Sequence, residues 1–264
     1  MALLSSCSLV VDANRTQCST NADCAAYANS VCVDSLCQPE PKWKCLGKPI
    51  QQPAATGKFQ VDFLVRHLVT QMPLPGVSAR TCRKLDVECA AQPGEQLVTD
   101  ESGKVTVSVD AGFEGYVRFE GPSIAPGLYF FNPGVTSDLP QITISIGTID
   151  VISLLALQAG ARQSTDRGVA LISVRNCVGG VAPGVTMASS VHDDVAVPFY
   201  SEQGLPSGSA VQTDDDSYGG LLNASPGTHT FTATLAATGQ RIGQATVLIQ
   251  AGALTFGSVV PDGN

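Results

Sequence analysis

The chain has 264 residues, enough for one or two domains with cores of their own. Its 26 glycines and 16 prolines, with abundant Val, Thr and Ser, favour sheet over helix. A net charge of −8 excludes the basic footprint that nucleic-acid binding needs, and it fits a well-solvated surface.

In chain order, the first motif is Leu4-Ser5-Ser6-Cys7. It resembles a bacterial lipobox, whose cysteine is lipidated, although no basic n-region and no full apolar h-region precede it. Setting Cys7 aside leaves eight of the nine cysteines, an even number that can pair completely. Ser8 in the next position resembles the outer-membrane sorting class. The resemblance implies a Gram-negative lipoprotein, extracytoplasmic, that meets the membrane only through its lipid.

Next comes Cys18-x5-Cys24-x7-Cys32-x4-Cys37-x7-Cys45. Zinc sites usually pair ligands two to four residues apart, and this run holds no histidine, so disulfides and an oxidising compartment are expected. So short a segment cannot bury a core, and bridges must order it. Three connectivities are open to its first four cysteines; the crossed one, Cys18–Cys32 with Cys24–Cys37, is the expectation. Cys82 and Cys89 flank a six-residue insert and can close it. Elimination leaves Cys45 with Cys177. Asn14-Arg15-Thr16 and Asn223-Ala224-Ser225 match glycosylation sequons, which carry no meaning in a bacterial protein. Pro39 to Thr56, with Trp43, reads as a linker, so residues 1–57 form the terminus, cysteine-rich segment and linker.

A first β module is expected over 58–147. Val61, Phe63 and Val65 alternate in its opening strand with His67 in phase. Val105, Val107 and Val109 alternate with polar partners after the turn Thr99-Asp100-Glu101-Ser102-Gly103. Tyr116, Phe119, Tyr129, Phe130 and Phe131 follow. An aromatic group of this kind is more often core than a sugar-stacking platform.

Ile142 to Ala161 is almost wholly apolar. Ile142, Ile144 and Ile146 alternate as a strand, and Gly147 interrupts them. Thr148 can cap a helix from Ile149 to Ala159, with Asp150 in its first turn and Gly160 ending it. At 1.5 Å per residue such a helix reaches about 16 Å, too short for a bilayer.

The remainder, 148–264, is expected to be that connector helix and a second β module. Val169 to Val174 opens its sheet, and His229, Phe231, Ala233 and Leu235 share one face of a later strand. Gln244–Gln250 and Leu254–Val260 flank Ala251-Gly252 as a hairpin. The module repeats landmarks of the first: Pro183-Gly184-Val185 answers Pro75-Gly76-Val77, and Thr213 to Gly219 answers the Thr99 turn.

A Pro-Gly-Val strand start, a Thr-Asp turn, an alternating strand and a glycine-led aromatic strand are similar to carboxypeptidase-regulatory-like domains over roughly 58–260. The resemblance implies an all-β fold of two tandem transthyretin-like sandwiches, related in shape to pilin B-repeat modules. It implies nothing specific about activity.

Enzymatic motifs are missing: there is no Gly-x-Ser-x-Gly elbow, no His-Glu-x-x-His and no phosphate-cradling loop. His67, His192 and His229 are scattered. A non-enzymatic surface protein with a protein or glycan partner is therefore expected. A carbohydrate-binding module would need Tyr129, Phe130 or Trp43 exposed. A calcium-stabilised adhesin would gather Asp214, Asp215 and Asp216, with Asp193 and Asp194, although EF-hand spacing is absent. Pilin-type relatives carry a Lys–Asn isopeptide bond. The second module has no lysine, and in the first the residues available are Lys58, Asn132 and Glu88 or Glu114.

Overall fold

A computed structural model describes residues 16–24, 30–39, 42–49, 54–90, 96–191 and 193–263. Cys7, Asn14 and His192 lie outside them. The chain divides into two compact units, Met1–Lys44 and Cys45–Asn264.

In the first unit a 3-10 turn, Asn21–Cys24, precedes a hairpin of β1 (Ser30–Val33) and β2 (Leu36–Pro39). Asp34 and Ser35 join its strands with φ of 50° and 64°. Two positive-φ residues make the tight turn whose twist suits a two-residue hairpin. Cys18 pairs with Cys32 and Cys24 with Cys37, the crossed arrangement. Cys18 and Cys24 are buried, so the bridges take the place of a core.

The second unit begins with β3 (Lys58–His67), β4 (Ser78–Arg83), β5 (Leu97–Val98) and β6 (Lys104–Asp110). Next are β7 (Gly115–Glu120), β8 (Gly127–Phe130), β9 (Ile142–Ile146) and the helix α1 (Ile149–Gln158). Then follow β10 (Gly168–Val174), β11 (Val185–Ser189), β12 (Val197–Glu202) and β13 (Leu205–Ser207). Finally come β14 (Tyr218–Ala224), β15 (Gly227–Leu235), β16 (Arg241–Ile249) and β17 (Leu254–Val259). In β6 the alternation is complete: Val105, Val107 and Val109 are buried and their polar neighbours exposed. The fold is mostly sheet, with α1 the single α-helix among the described residues.

The repeat is visible in the pairing. Strand β3 runs antiparallel to β6 and parallel to β9; β10 stands in the same relation to β14 and β17. On the facing sheets β4-β7-β8 corresponds to β11-β15-β16, antiparallel throughout.

The two expected sandwiches do not stand apart, however. A nine-stranded sheet in the order β13-β12-β14-β10-β17-β8-β7-β4-β5 crosses the expected boundary at 147, flanked by sheets β6-β3-β9 and β11-β15-β16. The join is β17 lying parallel to β8, Leu254 to Phe256 beside Gly127 to Tyr129. For that reason Ala251-Gly252 is not a hairpin: it carries the chain from β16 in one sheet to β17 in another. One apolar cluster drawn from both halves runs through Val61, Phe63, Phe119, Ile146, Ile152, Val169, Phe199 and Leu254.

Helix α1 starts where Thr148 Oγ1 accepts from Val151 N. It ends as a Schellman motif: Ala161 N donates to Ala156 O, Gly160 N donates to Leu157 O, and Gly160 takes φ +78°. Its buried side is Ile152 and Ala156. No helix among the described residues is long and apolar enough to cross a membrane.

Candidate functional site

Cysteine chemistry is fully occupied among the described residues. Cys82 is bonded to Cys89 and Cys45 to Cys177, both within the second unit. Cys177 is presented by a firm turn: Asn176, 4% exposed, accepts from Val178 N and Gly180 N and donates to Val181 O. The three cysteines closest in space, Cys18, Cys24 and Cys37, are tied up in the two crossed bridges and offer no thiolate to a metal.

The aromatic candidates are not a platform. Phe130 is buried and stacks on Tyr116 at 4.8 Å between ring centroids. Tyr129 packs edge-on against Phe63 at 5.4 Å and Phe131 at 5.5 Å, and burial pushes its phenol pKa up, with Arg175 opposing. A sugar ring needs an open aromatic face, and neither offers one. Trp43, in the first unit, is half-buried.

The acidic candidates spend their oxygens on the chain itself. Asp214 Oδ1 accepts from Asp216 N at 2.8 Å. Asp216 Oδ2 accepts from Gly204 N at 2.7 Å and Ser201 Oγ at 3.1 Å, holding the turn between β12 and β13. Asp215 is exposed. Asp193 is built into a polar hub that also escaped sequence reading. It pairs with Arg167 Nη2 and accepts from Val195, Ala196 and Ser225 N. Burial pushes its carboxyl up, but the Val195 and Ser225 hydrogen bonds and the Arg167 guanidinium outweigh that and hold it at about 2. The hub continues through Asn223, which is 3% exposed with φ 52°. Its Oδ1 accepts from Ser164 N, its Nδ2 donates to Val195 O, and its carbonyl accepts from Arg167 Nε. The second sequon is thus buried structure.

His67 and His229 are structural too. His229 is 1% exposed. Its Nε2 meets Ser225 O at 2.9 Å, so that nitrogen donates and Nδ1 accepts from Ser189 Oγ at 3.0 Å. Burial lowers its pKa against the pull of the Ser225 hydrogen bond and of Asp193. His67 Nδ1 accepts from Val69 N and Thr70 N, closing the turn after β3. Two of the isopeptide residues are engaged elsewhere. Asn132 Nδ2 donates to Gln244 O and Ser258 O, and Glu114 pairs with Lys84 rather than Lys58.

Of several concave features, the one with the largest apolar lining is a groove of 330 Å3 between β9, α1 and one face of the nine-stranded sheet. Thr143 and Ser145 of β9 form one wall and Leu155 of α1 another. Leu171, Phe256 and Tyr218 make the floor. Its size falls within the range of real binding sites, and its lining is mostly apolar, with Ser201 and Asp216 among its polar members. Sequence reading missed it because it forms where β9 of the first half overhangs the sheet of the second.

No family model matches the chain, and no curated protein matches it. Among solved structures, it is similar to the Bacillus anthracis TIE protein at 14% identity, covering 77% of this chain and 34% of that one, with a TM-score of 0.24. A Streptococcal ancillary pilin overlaps at 15% identity, 77% of this chain and 63% of that one, TM-score 0.22. BcpA, the major pilin subunit of Bacillus cereus, in a D312A form, overlaps at 10% identity, 77% and 70%, TM-score 0.26. The chain thus spans less than two thirds of the first two. Overlaps this shallow bear on neither fold nor function.

Proposed function

We propose that the chain is a non-enzymatic binding or structural protein of the extracytoplasmic cell surface. The observation that carries this reading is how the reactive side chains are spent. Eight cysteines form four disulfides, which persist in oxidising compartments. His229 is sealed between Ser189 and a backbone carbonyl, with no carboxylate on the far nitrogen to make it a base. Residues 58–147 and 148–264 serve as two halves of one rigid body, and Cys7 supplies a lipid anchor at the outer membrane.

The test is made on the protein in its natural host. Intact cells are treated with a membrane-impermeant thiol reagent after reduction, and with protease, and the chain is followed by antibody. Thiol labelling only after reduction, cleavage on intact cells, and release into the aqueous phase of a detergent partition by Cys7→Ala are the expected results. Protection of the chain until cells are lysed, with free thiols throughout, overturns the reading.

A further inference from the structure

Every sheet has ends, and an open strand edge is a template for another chain, so proteins blunt their edges. This one does so with specific groups. On β11, Val185 N and O are met by Thr213 Oγ1 and N, and Met187 N donates to Tyr200 Oη. On β16, the carbonyls of Ile242, Gln244 and Leu248 accept from Asp262 N, Asn132 Nδ2 and Thr255 Oγ1. Strands β13 and β5, at the ends of the large sheet, have three residues and two. Strand β6 ends its sheet with Lys104 and Asp110 exposed, charges that discourage pairing.

Strand β9 is treated differently. Among the described residues no strand pairs with its outer edge over Ile142–Ile146, and beside that edge lies the mostly apolar groove, with Asp216 the one charged residue in its lining. Its counterpart in the second half tells what belongs there. Strand β17 holds the same position relative to β10 that β9 holds relative to β3, and its outer edge is filled by a parallel strand, β8, of sequence Gly-Leu-Tyr-Phe.

We infer that β9 is a docking edge for an extended segment of a partner polypeptide, which adds a strand parallel to β9 and seats apolar or aromatic side chains on Leu171, Phe256 and Tyr218. Main-chain hydrogen bonds to β9 give the affinity, and the floor selects alternate apolar side chains. The inference rests on reading the chain as a binding protein and names the class of its partner.

The probe is a synthetic peptide of the 125–132 sequence, the segment that fills the counterpart edge, with lysines added at its ends. It is titrated onto the full chain while amide exchange is followed residue by residue. Expected are saturable binding, at least tenfold slower exchange of an amide within Thr143–Ser145, and at least tenfold weaker binding to Tyr218→Glu. Tyr218 is 42% exposed, so that variant should fold; if it does not, Thr143→Lys, also at an exposed position, takes its place. No protection at β9 with millimolar peptide, protection at another edge, equal binding of a scrambled peptide, or binding indifferent to the variants overturns the inference. None of those results touches the surface reading, which stands or falls on intact-cell labelling.

Discussion

Thr99 and Thr213 make the same four hydrogen bonds in the two halves of the protein. Thr99 Oγ1 accepts from Val77 N at 2.9 Å and donates to Leu74 O at 2.7 Å; Thr213 Oγ1 accepts from Val185 N at 3.0 Å and donates to Ala182 O at 2.6 Å. Their backbones add Thr99 N to Val77 O with Gly76 N to Thr99 O, and Thr213 N to Val185 O with Gly184 N to Thr213 O. Both residues are buried. Each staples a Pro-Gly-Val turn to the residue that leads into an aspartate-closed loop.

Replacing either threonine with valine keeps the shape and strands a buried amide and a carbonyl. Each substitution should cost about 1–3 kcal/mol, since an unpaired buried polar group loses its full solvation. The two costs should add in the double variant while unfolding stays a single transition, because the nine-stranded sheet ties the halves together. Urea melts of the four proteins check this; two separate transitions would show the halves unfolding independently.

The disulfides should differ in worth according to the loops they close. Cys45–Cys177 spans a sequence separation of 132 and Cys82–Cys89 one of 7. In the chain-entropy account, removing them with paired serine substitutions costs about 5 and about 2 kcal/mol respectively. Denaturant midpoints of the two double variants provide the comparison, and the order is the expectation.

Acid should weaken the fold in two stages. The folded pKa of His229 is lowered below its ordinary value, so the unfolded chain binds the extra proton first. That stability is complete above about pH 6.5 and is lost as pH falls through it. Asp193, held at about 2, keeps its contribution above the usual carboxylate value and loses it as pH falls toward 2. Urea midpoints from pH 8 to 3 should show both declines. His229→Gln should flatten the first and leave the second.

Asn223→Ala should be among the costlier single changes. It removes the acceptor for Ser164 N and the donor to Val195 O, and puts alanine at φ 52°. About 3 kcal/mol is expected from the orphaned groups and the backbone together. Asn223→Asp keeps the acceptor and the tolerance for that backbone and should cost less, which thermal melts can rank.

The local layers of this fold were legible. Alternating valines gave β6, a Thr cap and a Gly stop bounded α1, and the paired Pro-Gly-Val and Thr-Asp signals exposed a repeat that the central strand pairings share. What the chain could not reveal by inspection was how the repeats join. Parallel pairing of β17 with β8 leaves no turn signature, because its strands are far apart in sequence. The same reason hid the groove, and it hid the Arg167–Asp193–Asn223 hub, in which the sequence offered Asp193 as a cation ligand and Asn223 as a sequon and gave no sign that Arg167 joins them. Asp214 to Asp216 are the opposite case: the acidic run is visible in the sequence, and only the structure shows Asp214 and Asp216 holding turns with their oxygens.

Strand β17 is synthesised after every other strand described here, yet it is the middle strand of the nine. Until it arrives, β8 and β10 face one another across a gap the width of one strand, each with a bare row of amides and carbonyls. A nascent chain stalled before β17 would therefore present two sticky borders at the centre of its largest sheet, where a bound strand or chaperone could intrude.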